Sequence, residues 1–108
     1  MSMLEKPNLF YVQELAGDDL AFENKFIGIL KDEFPLEQQE YVNCIEKSQL
    51  IDAAQIVHKL KHKFNILSMT ESYTFAVAYE EELKKSRPQK DKRFREILNT
   101  IEDYLKTI

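Results

Sequence analysis

Apolar residues recur along this chain at intervals of three, four and seven, and no segment alternates as a half-buried strand would, so the pattern predicts helices throughout. Asn8 to Leu15 reads as a short helix ended by Gly17, after an irregular start. Asp18 and Asp19 offer an N-cap and favourable charge for the next helix. Leu20, Phe26, Ile27, Leu30, Phe34, Tyr41 and Ile45 then form one stripe, which predicts a long helix over about 18–47. Pro35 falls inside it. Because the stripe resumes in phase, the proline predicts a bend, not a break. A second long helix is predicted over 49–68 and a third over 71–86, with Thr70 as N-cap and Phe75, Tyr79 and Leu83 on one side. Arg87-Pro88 marks a turn, and a last helix over about 91–106 carries Phe94, Ile97, Leu98, Ile101 and Leu105. Long amphipathic helices with short connections prefer antiparallel neighbours. The expected fold is all-α: one domain over 1–108, an up-down antiparallel four-helix bundle with a short N-terminal helix.

Composition narrows the function classes. At 44% hydrophobic and 31% charged residues the chain is globular, and a net charge of -4 argues against a nucleic-acid partner. Lysines do cluster locally, at Lys59, Lys61 and Lys63 and at Lys84, Lys85 and Arg87; such clusters suit an anionic partner or a plain solvated face. Cys44 is the single cysteine, so an intrachain disulfide and a cysteine metal site are both excluded, as a reducing compartment would favour. No apolar run has the length of a membrane span, and no basic segment precedes an apolar one at the start. The expectation is a cytoplasmic protein with no membrane partner. Without a glycine-rich phosphate loop, a kinase or ATPase is not supported.

The second long helix carries the candidate chemistry. With about 100° per residue and His58 at zero, Ala53, Ile56, Val57, Leu60, Phe64 and Leu67 share one unbroken apolar arc, roughly opposite His58. On the outer face, within about 60° of His58, fall Ile51, Ala54, Gln55, Lys61, His62, Asn65 and Met69. Most helical histidines satisfy a core or rim position; His58 points away from the core. Ala54 leaves room beside its ring, and Lys61 lies one turn on. Ile51 and Met69 are expected to be exposed apolar residues around a polar centre, the composition of a docking patch. Imidazole titrates near neutrality, so a neutral ring nitrogen can attack a phosphoryl donor. Lys61 can stabilise the transferred charge, and Gln55 can orient the ring or bond the phosphoryl oxygens.

His58-Lys59-Leu60-Lys61, with Leu67-Ser68 further along, resembles the signature of histidine-containing phosphotransfer (HPt) domains. Gly17-Asp18-Asp19 before a long helix, Phe34 near its middle and the acidic run Glu80, Glu81 and Glu82 add to the likeness, which covers about 9–86. The resemblance implies a stoichiometric phosphocarrier, not an enzyme. It implies that His58 is phosphorylated by a receiver-domain aspartate and passes the group to another receiver, with Lys61 assisting. Response-regulator receivers and a hybrid histidine kinase are the implied partners. The chain would need no cofactor of its own, since Mg²⁺ sits on the receiver. Short connections favour a monomer. Ile51, Ala54, His62, Asn65 and Met69 would form the docking surface.

Two positions depart from the signature. His62 stands where the family has a glycine one turn after the histidine, and Ser68 stands at the later glycine. His62 can hinder docking, tune partner choice or add a hydrogen-bond donor. An alternative function is therefore a degenerate module that binds a receiver without phosphotransfer. A metal-binding bundle is a weaker alternative, because the His58/His62 pair lies among lysines that repel a cation.

Overall fold

The structure, a computed structural model, describes residues 5–108. Five helices follow in order: α1 Phe10–Ala16, α2 Leu20–Glu46, α3 Leu50–Ile66, α4 Thr70–Lys84 and α5 Asp91–Leu105. The all-helical bundle with a short first helix is as the hydrophobic pattern predicts, with helix ends within two residues of the expected ones. The reading of the first four residues as an irregular start without a signal segment lies outside the described residues. Glu5 to Asn8 is non-helical: Pro7 is buried and the Glu5 carboxylate accepts from the Glu71 and Ser72 amides at 3.1 and 2.8 Å. That carboxylate caps α4. Thr70, the expected cap, is instead the first helical residue, and its side chain makes no cap bond. No helix among the described residues is long and apolar enough to cross a membrane.

Local chemistry explains the boundaries. Asp19 accepts from the Phe22 amide at 3.0 Å and caps α2, worth about 1 kcal/mol. Helix α2 runs without interruption through Pro35. Three helices stop on a serine in the left-handed region: Ser48 after α2, Ser68 after α3 and Ser86 after α4, with φ of 55°, 62° and 60°. Each stop is a Schellman turn. At the end of α3, the Ser68 amide bonds Asn65 O at 3.1 Å and the Met69 amide bonds Phe64 O at 2.9 Å. Three-residue connections of this kind fold α3 back along α2 and α4 back along α3, and a six-residue connection leads from α4 to α5.

The interior joins all four long helices. Leu30, Phe34 and Tyr41 of α2 meet Val57, Leu60 and Phe64 of α3, Ala76, Tyr79 and Leu83 of α4, and Phe94, Ile97, Leu98 and Ile101 of α5. Tyr41, Phe64, Tyr79 and Phe94 stack obliquely, with ring centroids 4.8–5.6 Å apart around Phe94. One polar chain crosses this interior. The Tyr79 hydroxyl lies 2.6 Å from that of Tyr41, which donates to Asp91 Oδ1 at 2.5 Å; Asp91 also accepts from Arg95 Nε at 3.0 Å. Burial first, then the bond to Asp91, pushes the Tyr41 phenol far up, and burial pushes Tyr79 up to about 12. This chain ties α2, α4 and α5 together and fixes the rotation of α4, whose next residue is Glu80.

Candidate functional site

Helix α3 turns Ala53, Ile56, Val57, Leu60 and Phe64 into the core, so the opposite face is offered to solvent, and the His58 side chain keeps 53% of its exposure. Its Nδ1 is held. Glu80, reaching across from α4, places its carboxylate oxygens 3.1 and 3.3 Å from that nitrogen. The same carboxylate accepts from Lys61 Nζ at 2.9 Å and lies 3.6 Å from Lys84 Nζ. Glu80 is only 10% exposed. Burial alone would raise its pKa, but the Lys61 ammonium and then His58 outweigh it, and the carboxyl is held below its ordinary value.

An ionised carboxylate can only accept, so the neutral His58 ring carries its proton on Nδ1, shared with Glu80. The lone pair is then on Nε2, at the exposed edge. This arrangement resembles the carboxylate–imidazole pairs that orient nucleophile-activating histidines.

Beside His58 opens a groove of about 410 Å³, lined by Ile51, Ala54, Gln55, His58, Lys59, Glu80 and Lys84. Its floor is apolar and its rim is cationic. Ile51 is 55% exposed, a large apolar side chain left in water. A cavity of about 280 Å³ at the other side of the bundle, between α2 and α5, is lined by Lys31, Phe34, Pro35, Glu102, Leu105 and Lys106 and carries no comparable reactive group.

The structure distributes the expected site residues unevenly. Ile51, Gln55 and His58 share the groove; His62 and Asn65 are exposed one and two turns further along α3. The His62 ring packs edge-to-face on His58, with centroids 5.0 Å apart and planes at 84°. Ala54 lies on the groove side but is almost fully buried, so its contribution is a small floor and not an exposed contact. Met69 is a correction. Expected beside His58, it is 0% exposed and part of the core. The angular count assumes a helix that continues, whereas α3 ends at Ile66 and the left-handed Ser68 turns Met69 inward. Lys61 is placed on Glu80, 13% exposed. The lysine cluster of the sequence also divides. Lys63 bridges to α2, 3.0 Å from Glu33 and 2.9 Å from Glu37, leaving Lys59 at the groove.

Glu80 was not singled out as a site residue by sequence, although a signal existed. Ser72, Ala76 and Tyr79, Glu80 and Leu83 are the buried residues of α4, so Glu80 lies within the core stripe at helical spacing. A carboxylate in a core stripe needs a partner on the facing helix. Compared with models of known families, with curated proteins and with solved structures, the chain has no match.

Proposed function

We propose that the chain is a phosphocarrier in a multistep His-Asp phosphorelay, and that His58 carries the phosphoryl group. The observation that carries this reading is a solvent-exposed imidazole whose Nδ1 is held by a sheltered carboxylate, 3.1 Å away, on the rim of an apolar-floored, cation-edged groove. The resemblance of His58-Lys59-Leu60-Lys61 to the HPt signature points the same way.

The step balances without a proton leaving the attacking nitrogen. The Nε2 lone pair of His58 attacks phosphorus of an aspartyl phosphate on a receiver domain. The P–N bond forms as the P–O bond to aspartate breaks, and the aspartate leaves as carboxylate. Positive charge that develops on the ring is spread through Nδ1–H to Glu80. Transfer to a second receiver is the reverse. Mg²⁺ is supplied by the receiver, and this chain needs none. Ile51 and the groove would take an apolar part of the partner, while Lys59 and Lys84 meet its acidic site. A hybrid kinase would charge the first receiver, and the carrier would act as a cytoplasmic monomer.

One observation favours a second reading, a module that binds a receiver without transfer. His62 stands exposed beside His58, where the resembling family has glycine, and occupies space that a partner would need. Labelling separates the two. The chain is incubated with phosphorylated receiver domains, and acid-labile phosphate is measured. The expected result is one phosphate per chain, abolished in His58→Gln with unchanged helical circular dichroism. Stable receiver binding with no label would establish the second reading instead. Label retained in His58→Gln and lost in His62→Gln would overturn the assignment of the acceptor.

A further inference from the structure

We infer that His62 is a phosphoryl-binding residue: its ring donates a hydrogen bond to the group carried on His58 Nε2 and lengthens the life of the phosphohistidine. The inference rests on His58 as the acceptor and adds what holds the product.

The argument begins with which cations are occupied. Lys61 is committed to Glu80 at 2.9 Å and is largely covered. Lys84 lies 3.6 Å from Glu80 and 3.7 Å from Glu81, and Lys63 is drawn to α2 by Glu33 and Glu37. Lys59 is at the groove, on a long flexible stem, one residue and about 100° round the helix from His58. His62 differs from the paired lysines in being unpaired among the described residues, and from Lys59 in its short, stiff side chain on the same face as His58. It has two ring nitrogens and, among the described residues, no hydrogen bond or ion pair. It is exposed, and its ring is already held against that of His58 at 5.0 Å.

Helix geometry supplies the direction. A side chain leans toward the N-terminal end of its helix, so the ring of residue 62 covers the turn that carries residue 58. Phosphorus on Nε2 would stand in the plane of the His58 ring, one bond beyond the nitrogen, with its oxygens one bond further. A neighbouring ring centred 5.0 Å from the His58 ring, on an exposed side chain, needs only side-chain rotation to bring a nitrogen to that oxygen shell. Neutral imidazole offers one N–H donor there and imidazolium a charge-assisted one. Such a bond stabilises the doubly charged phosphoramidate more than the looser, metaphosphate-like state reached on hydrolysis. The consequence is slower loss to water.

The test uses phosphorylated chain separated from its receiver, so that reverse transfer is absent. Wild type, His62→Gln, His62→Leu and His62→Ala are compared for the decay of acid-labile phosphate and for the ³¹P and ring ¹⁵N resonances. The expected half-life falls about tenfold in the Leu and Ala variants, the factor that about 1.4 kcal/mol represents, and stays within about twofold of wild type in His62→Gln, whose amide still donates. The His62 ¹⁵N signal should shift on phosphorylation of the wild type. Equal half-lives in all four chains, or no such shift, overturn the inference and leave His58 as carrier. Faster receiver transfer in His62→Ala with an unchanged half-life makes His62 a steric element and also overturns it. If wild type takes no phosphate from any receiver, the functional reading fails together with the inference.

Discussion

Glu80→Gln is the sharpest probe of the site because it keeps the side chain's size and removes its charge. In the wild type this 10%-exposed carboxylate accepts from Lys61 at 2.9 Å and from His58 at 3.1 Å. Hydrogen bonds to charged groups contribute about 1.5–3 kcal/mol each when sheltered. The glutamine oxygen keeps one acceptor, and His58 is half exposed, so the solvent-screened part counts for little. The expected loss of folding stability is about 1–2 kcal/mol near neutral pH, read by urea unfolding. The kinetic effect has a different origin. Without a carboxylate on Nδ1 the ring divides between its two tautomers, and charge developing on it in transfer is no longer offset. Loss of an orienting partner of this kind commonly costs a factor of about 10 to 100. We expect initial labelling from a phosphorylated receiver to fall about tenfold. Ring ¹⁵N shifts should show the Nδ1–H form of His58 giving way to a mixture.

The pH dependence has a definite sign. The folded value of Glu80 lies below the ordinary value of about 4.3. Its contribution to stability is therefore complete above that ordinary value and is lost as pH falls through the lower folded one. The gap in unfolding free energy between wild type and Glu80→Gln should be full at neutral pH and close on acidification. A variant that labels at the wild-type rate with an unchanged His58 tautomer would refute the role assigned to Glu80.

Two further outcomes are expected of the scaffold. Ser68→Gly, at φ 62°, should raise stability by about 0.5–1 kcal/mol in urea unfolding and leave labelling unchanged, since glycine enters the left-handed region without the side-chain penalty; a loss of stability would contradict the Schellman turn. In alkaline titration, Tyr79 should ionise only near 12 and Tyr41 later still, while stability that is complete below about 10 declines as pH rises through those values; all five tyrosines ionising together near 10 in the folded chain would refute the buried network.

What sequence could show here follows from what is periodic. Ala53, Ile56, Val57, Leu60 and Phe64 are all buried because a straight helix repeats every 3.6 residues, so the outward direction of His58 was legible from one strand of text. The same arithmetic failed at Met69, one residue past a reversal that no helical period contains. Ser68 carries a left-handed backbone without being glycine, and the stop it makes is weakly signalled. Leu67, still in phase, is buried as the period predicts; the failure begins only past the end of the helix.

The partners of His58 were less legible because they depend on register between helices. Lys61 reads as a free cation when α3 is considered alone. Once α4 packs on α3, the identity of its neighbour depends on which of Glu80, Glu81 and Glu82 faces inward, and that is set by Tyr79. The Tyr79 hydroxyl bonds Tyr41 of α2, which bonds Asp91 at the start of α5. Glu80 is thereby turned toward α3, while Glu81 stays in solvent and Glu82 pairs with Lys90. The lysine that sequence offers to a phosphoryl group is held by the carboxylate that also fixes the histidine. In this structure, then, Lys61 reaches His58 only through Glu80, and beside Glu80 the side chain packed on the His58 ring is His62.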